Sequence, residues 1–478
     1  MDIVDININI HKYMLVPKHR HIMHTYNISY WLCLDKNIIN SPNKRIINNY
    51  KKFLNQKKII IVMKCIEYDI FIIPILWCVF KNIDELIEKA FNCKNINMLK
   101  LLCKYIDKNT LIKYMRKSCE NGHIDVVKYL HQEIGLTKQD FQSNNNYACR
   151  WVCRNGHINV VKYLHQEIGL EKQDFQSNNN RACQMACENG YLDVIKYLHQ
   201  EIGLGKQDFQ SDDNYACRLA CLHGHIDVVK YLHQKIGLAK QDFQSNNNYA
   251  CRTACKYSHI DVVKYLHQKV KLTKKDFQSD DNNACGWACD NGHIDVVKYL
   301  HQEIKLTKKD FRSDDNYACR RACRNGHFNL VKYLRQEIGL TKQDFQSNNS
   351  YACRWACEYG HIDVVKYLHK IFGLTKQDFQ SKNNYACRYA CGNGHIDVVK
   401  YLHQKVKLIK KDFQSNDNYA CQWACRKGYI KVVKYLHKNI GLTKQDFQSN
   451  NNYAYNNALK NKHNEVVEYL LNGINIFS

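Results

Sequence analysis

A block of 34 residues, copied end to end without insertion or deletion, limits what this chain can fold into. Glycine marks the register at Gly122, Gly156, Gly190, Gly224, Gly292, Gly326, Gly360, Gly394 and Gly428, and Ser258 fills the one gap. From Asn144 one copy reads N-N-N-Y-A-C-R-W-V-C-R-N-G-H-I-N-V-V-K-Y-L-H-Q-E-I-G-L-E-K-Q-D-F-Q-S. Two weaker copies flank the series. One is Ala90–Leu102, with Lys94 in the glycine's place; the other is Ala458–Leu471, with Lys462 there. A chain of 478 residues would otherwise suggest about three globular domains. Short identical units cannot each close a core, so they bury their apolar faces on their neighbours and grow along a line.

Each unit parses into two helices. The first is expected from about Tyr147 to Arg154, entered through an Asn run that can cap it. Its small residues Ala148, Cys149, Val152 and Cys153 recur at i, i+4 spacing and form one narrow face. Asn155-Gly156 breaks it, glycine being suited to the left-handed residue of a tight interhelical turn. The second helix is expected from about Ile158 to Ile168. It is apolar on more than one side, as for a helix packed between neighbours, and Gly169 ends it. Helices of about eight residues are marginal alone, so the units must stack. Between units, Thr137-Lys138-Gln139-Asp140-Phe141 has the Thr-x-x-Asp spacing of a capped helical turn, with Phe141 and its repeats expected to plug the core.

Composition agrees with a helical array. Apolar residues make up 45% of the chain, enough for a continuous core, and only 3 prolines interrupt it. The formal charge is +25, from 70 Lys and Arg against 45 Asp and Glu. Such a surplus suits an acidic partner, whether nucleic acid, an acidic protein face or an anionic membrane. Yet the basic residues are spread along the whole array and form no concentrated patch, so compositional drift is the simpler account. Met1–His11 alternates acidic and apolar residues and lacks the basic-then-apolar order of a secretory signal. The most apolar stretch, Ile59–Phe80, contains Lys64, Glu67, Asp69 and Pro74. Its clean part, Ile70–Phe80, is only about half the roughly 20 residues a bilayer span needs. It is read as a buried helix, and no membrane partner is expected.

The stretches Tyr215-Ala216-Cys217-Arg218, Ala220-Cys221, Gly224-His225 and Val228-Val229-Lys230-Tyr231-Leu232 resemble the ankyrin repeat family. They match its opening, its Ala-Ala pair, its Gly-His and its Val-Val-x-x-Leu-Leu helix. The resemblance covers roughly residues 86 to 472 and is most similar to the divergent arrays encoded by giant DNA viruses of amoebae. It departs from the family in three places: Tyr-Ala stands for the opening Thr-Pro, the period is 34 rather than 33, and the Gly-bearing hairpin is replaced by the Thr-Lys-Gln-Asp-Phe segment. The tetratricopeptide repeat shares the period, but its longer helices and its Trp, Gly and Pro landmarks do not fall in place. The fold class expected is therefore an all-α, ankyrin-like helical repeat solenoid with shortened or helical inter-repeat loops. It comprises about twelve units over residues 86–472. Before it lies a non-repetitive amino-terminal region, 1–85, serving as a cap or a small module.

Eighteen of the 24 cysteines fall in nine Cys-x-x-x-Cys pairs, from Cys149 and Cys153 to Cys421 and Cys425. An i, i+4 pair can supply two of the four ligands zinc commonly takes. The family, however, places small apolar residues at these positions, and buried Cys behaves as a small hydrophobe. No metal and no cofactor is expected. So many core thiols imply a reducing, intracellular compartment, cytoplasm or nucleus. Histidines form two stripes, one after the glycine (His157, His225, His293, His361) and one in the second helix (His165, His233, His301). Catalysis needs one special constellation, whereas a repeat multiplies every residue equally, so no catalytic residues and no enzyme are expected.

The units differ where partners would dock. Five residues before the glycine stand Trp151, Met185, Leu219, Thr253, Trp287, Arg321, Trp355, Tyr389 and Trp423; two before it stand Arg154, Glu188, Leu222, Lys256, Asp290, Arg324, Glu358, Gly392 and Arg426. In ankyrin repeats the end of the first helix lines the concave side. The resemblance thus implies a partner-binding row of Trp151, Arg154, Trp287, Arg321, Arg324, Trp355, Tyr389, Trp423 and Arg426, residue types that anchor interfaces. The alternative is that the Trp residues merely pack along the row. The function expected is that of a non-catalytic, monomeric scaffold for a protein partner of acidic character; the other reading is a basic solenoid for nucleic acid or another polyanion.

Overall fold

The computed structural model describes residues 83–477 apart from 93, 95, 104 and 105. Every regular element among the described residues is a helix. The expectations for residues 1–85, including the buried helix within Ile59–Phe80, lie outside the described residues, except that Ile83–Glu85 open the helix Ile83–Asn92. The chain divides into two compact units, Met1–Ser211 and Asp212–Ser478, built on one plan.

In each unit a repeat comprises a one-turn linker helix, a first helix and a second helix. In the first unit these are Lys138–Phe141, Ser143–Arg154 and Ile158–Gln166; in the second, Lys240–Phe243, Ser245–Lys256 and Ile260–Gln268 are one example. The inter-repeat loops are thus helical, as the Thr-x-x-Asp spacing predicts. Thr273 shows the cap: its backbone N–H and its hydroxyl both donate to Asp276 Oδ2, at 2.6 and 2.9 Å. The aromatic residue that follows plugs the core. Phe141, Phe175, Phe209, Phe243 and their six successors are the largest fully buried side chains, each worth about 2 kcal/mol of hydrophobic stabilisation. Ala and Cys of the first helices are likewise sealed from solvent, which lets those helices approach closely.

The Asn run does not act as a cap. Asn144, Asn145 and Asn146 all take left-handed backbone angles, and no side-chain cap bond forms. Three consecutive left-handed residues recur in this place ten times, with φ between 48° and 62°, and all but Ser350 and Lys382 are Asn or Asp. These are the non-glycine residues that tolerate the conformation best, but usually one at a time. A side chain six or so residues on secures the turn. Arg354 donates from Nε to Asn349 O at 2.9 Å and from Nη2 to Asn348 O at 2.8 Å, and Arg150, Arg218, Arg252 and Arg388 repeat the pattern. Charged donors make these bonds stronger than ordinary ones. Part of the basic surplus is therefore structural.

Neighbouring repeats are joined by bonds that recur at most junctions. Gln244 Nε2 donates to the buried Asp276 at 2.6 Å, Gln278 to Asp310 at 2.7 Å and Gln380 to Asp412 at 2.8 Å, with Lys240, Lys274 and Lys376 adding their charge to the same carboxylates. On the second helices His131, His233, His301 and His403 meet Tyr163, Tyr265, Tyr333 and Tyr435 through Nδ1 at 2.9–3.0 Å. The other histidine stripe packs on the register glycine. A β-carbon on Gly224 would lie 2.3–2.6 Å from the His259 ring, so glycine is required there by space as well as by its φ of +75°.

Candidate interaction surface

Tyr147 and Trp151 lie one helical turn apart on the first helix, and the same i, i+4 spacing joins Tyr351 to Trp355, Tyr385 to Tyr389 and Tyr419 to Trp423. Side chains so spaced share a face, and here they stack. Ring centroids are 5.3 Å apart for Tyr147–Trp151, 5.1 Å for Tyr351–Trp355, 4.0 Å for Tyr385–Tyr389 and 5.3 Å for Tyr419–Trp423. Between repeats of the second unit Trp355 reaches Tyr385 at 6.1 Å and Tyr389 reaches Tyr419 at 5.2 Å. The result, from Tyr351 to Trp423, is a ladder of half-buried rings along successive first helices.

Guanidinium groups cover it. Arg324 lies 4.5 Å over Trp355 and 5.3 Å from Tyr359, Arg426 lies 4.4 Å over Trp423, and in the first unit Arg154 lies 4.5 Å over Trp151. These are close cation–π distances. Arg324 also donates from Nη2 to the Tyr359 hydroxyl at 3.0 Å, and Arg426 from Nη1 to the Tyr453 hydroxyl at 3.0 Å. Trp355 Nε1 and Arg324 Nε are both buried without a hydrogen-bond partner among the described residues. Trp287 is flanked by Arg252 at 5.5 Å and Lys256 at 5.1 Å.

Arg321 is different. Asp290 binds it through both oxygens, at 2.8 and 3.0 Å, and also accepts from Tyr317 and Asn325. Burial opposes the Arg321 charge, but these bonds and the Asp290 charge outweigh it and hold the guanidinium protonated. Its charge is spent within the protein. Burial likewise pushes the Tyr385 phenol up, helped by its bond to Glu358 at 2.5 Å, so it stays neutral and donates.

The structure therefore joins Arg324 to Trp355, Tyr389 through Tyr419 to Trp423, and Trp423 to Arg426. Trp151 and Arg154 form a separate pair, and Trp287 and Arg321 have other partners. Sequence reasoning missed the Tyr row that completes the ladder, because Tyr is nearly constant across units and looked like framework. It also missed Tyr257 and Tyr359, 48% and 43% exposed, which replace the Asn before the register position. That replacement was a readable signal.

The cysteines lie outside this surface. Cys149, Cys153 and the pairs that follow are buried and unbridged. Burial raises their thiols, Cys251 and Cys285 to about 12. In most pairs the first cysteine also works as a donor: Cys217 Sγ lies 3.4 Å from Asn214 O and 3.5 Å from Asp242 O, and Cys319 and Cys421 do the same in their repeats. Among the described residues no group of His, Cys, Asp or Glu is placed to hold a metal ion, and no helix is long and apolar enough to cross a membrane.

Comparison with protein families decides the kinship of this array. The family described as ankyrin repeats (3 copies) matches residues 115–212, 185–276, 214–310, 320–412 and 388–478, and ankyrin repeats (many copies) matches 287–335. The chain belongs to the ankyrin-repeat family. No curated protein matches it. Ankyrin repeats generally mediate protein–protein interaction and are typically non-catalytic. In this ankyrin array the hairpins of the family give way to one-turn helices.

Proposed function

We propose that this ankyrin array is a non-catalytic, intracellular scaffold that binds a protein partner across the Trp, Tyr and Arg row of its first helices, on the concave side. One observation carries the reading. Core positions barely change between repeats, whereas the positions five and two before the register residue change at every step and keep half-buried Trp, Tyr and Arg accessible to solvent. Such residues anchor interfaces when a partner completes their burial. Arg154, Arg324 and Arg426, which have no carboxylate partner among the described residues, favour an acidic partner. The buried free thiols support a reducing compartment.

A single-stranded nucleic acid would need open ring faces for its bases. Here the faces are taken by neighbouring rings and guanidinium groups, and several arginines are committed to the left-handed turns. The row is also mixed in sign, with Asp290 and Glu358 between the arginines. The test is affinity capture of partners with the whole chain, with and without nuclease, at 50 and 200 mM salt. Trp355→Ala with Trp423→Ala should weaken capture about tenfold or more, with little change from nuclease or salt. Partners that vanish with nuclease, or fall steeply over that salt range, would establish polyanion binding instead.

A further inference from the structure

The His–Tyr series breaks once. The second-helix histidine is present at 131, 165, 199, 233, 267, 301, 369, 403 and 437, but Arg335 stands in its place in one repeat. Tyr367, at the position that elsewhere bonds this histidine, has a buried hydroxyl with no hydrogen-bond partner among the described residues. Other departures gather at the same junction. Phe372 stands where the other repeats have Ile or Val, and Ile371, 46% exposed, where they have Glu, Lys or Asn. Phe372 packs 4.0 Å from Phe345 and edge-on to Tyr367 at 5.5 Å, while the Arg335 guanidinium lies 5.1 Å over the Phe372 ring.

Beside them is a cavity of about 420 Å³ lined by Arg335, Gln336, Leu340, Thr341, Lys342 and Phe372. Neither of its cations is neutralised among the described residues. Several lysines in the place of Lys342 meet the buried Asp of the next repeat, as Lys376 meets Asp412 at 3.7 Å and Lys410 meets Asp446 at 3.6 Å, whereas Lys138 meets Glu171 and Arg312, not Lys308, binds Asp344. At this junction Asp378 accepts instead from Ser350 Oγ at 2.9 Å, and Ser350 itself replaces the usual Asn. Among the described residues Arg335 makes no hydrogen bond or ion pair beyond its ring contact. Drift in one residue would not bring an orphaned hydroxyl, two unpaired cations, a new aromatic wall and a cavity to one spot.

We propose that this cavity binds a small organic anion, its carboxylate or phosphate group held between Arg335 and Lys342 and its apolar body against Phe372 and Leu340. The volume falls within the range of small-molecule sites. A guanidinium above an aromatic ring can direct its N–H groups to two oxygens of the anion. This site is independent of the protein-binding row.

Titration calorimetry on the whole chain with benzoate, phenyl phosphate and neutral benzamide tests it. Benzoate or phenyl phosphate should bind and benzamide should not, the tighter of the two anions identifying the group preferred. Arg335→His restores the residue used in the other repeats, so it should fold at least as well. It should nevertheless weaken anion binding about tenfold or more, and Lys342→Gln should weaken it several-fold. Trp355→Ala should leave it unchanged. If neither anion binds better than benzamide, or if Arg335→His binds like the unaltered chain, the assignment is wrong.

Discussion

Ser258 occupies the register position that glycine holds in its neighbours, and its φ of +64° is one that a side chain adopts only at a cost. Ser258→Gly should therefore stabilise the protein by about 1 kcal/mol, read as a higher denaturation midpoint with an unchanged slope. An unchanged or lower midpoint would mean that the Ser258 side chain makes compensating contacts. At this scale the sequence was readable where geometry permits one residue type. The glycines announced their left-handed angles, and the small face of Ala and Cys announced close packing. What a list of residue types could not show was that Cys217 differs from an alanine. Its thiol reaches two carbonyls at once, one from its own left-handed turn and one from the next linker helix, and only the folded chain brings those together.

The left-handed turn is the element that sequence reasoning misread, for a physical reason. Asn and Asp are favoured both as helix caps and as left-handed residues, because a short polar side chain suits either role. Spacing alone does not separate the two. A run of three does, since only one of three residues can be the cap. Asn383 sits in the middle of such a turn with its side chain exposed, so backbone preference can be tested there without a packing change. Asn383→Gly should be neutral or slightly stabilising, whereas Asn383→Val should cost about 1–2 kcal/mol. Equal stability of the two variants in urea would show that the turn is not held in the left-handed region. The candidate surface was half legible for a related reason. Variation drew attention to Trp355 and Arg324, while the constant Tyr351 and Tyr385, which complete the stack, blended into the framework.

Across the whole molecule the histidines act in concert. Burial lowers the pKa of His233, His267, His301, His369, His403 and His437 on the second helices, and of His259, His293, His361 and His395 beside the register positions. A histidine with a depressed folded pKa stays neutral in the fold but takes up a proton when unfolded, near pH 6.5. Its contribution to stability is complete above that value and is lost as pH falls through the folded pKa. Unfolding should accordingly take up more than one proton per molecule between about pH 6.5 and 5, seen as a steep fall in the urea midpoint. A flat profile over that interval would show that these rings are as easily protonated in the fold as outside it. The sameness of the junctions has another consequence. Gln–Asp, Lys–Asp and His–Tyr bonds return at one fixed interval, so recombination that removes or duplicates one whole copy of coding sequence rejoins matching surfaces. A cut out of phase does not. The length of the array is thus open to inheritance in whole units, while the junction of Arg335 with Tyr367 keeps a single address that such an exchange would erase or double.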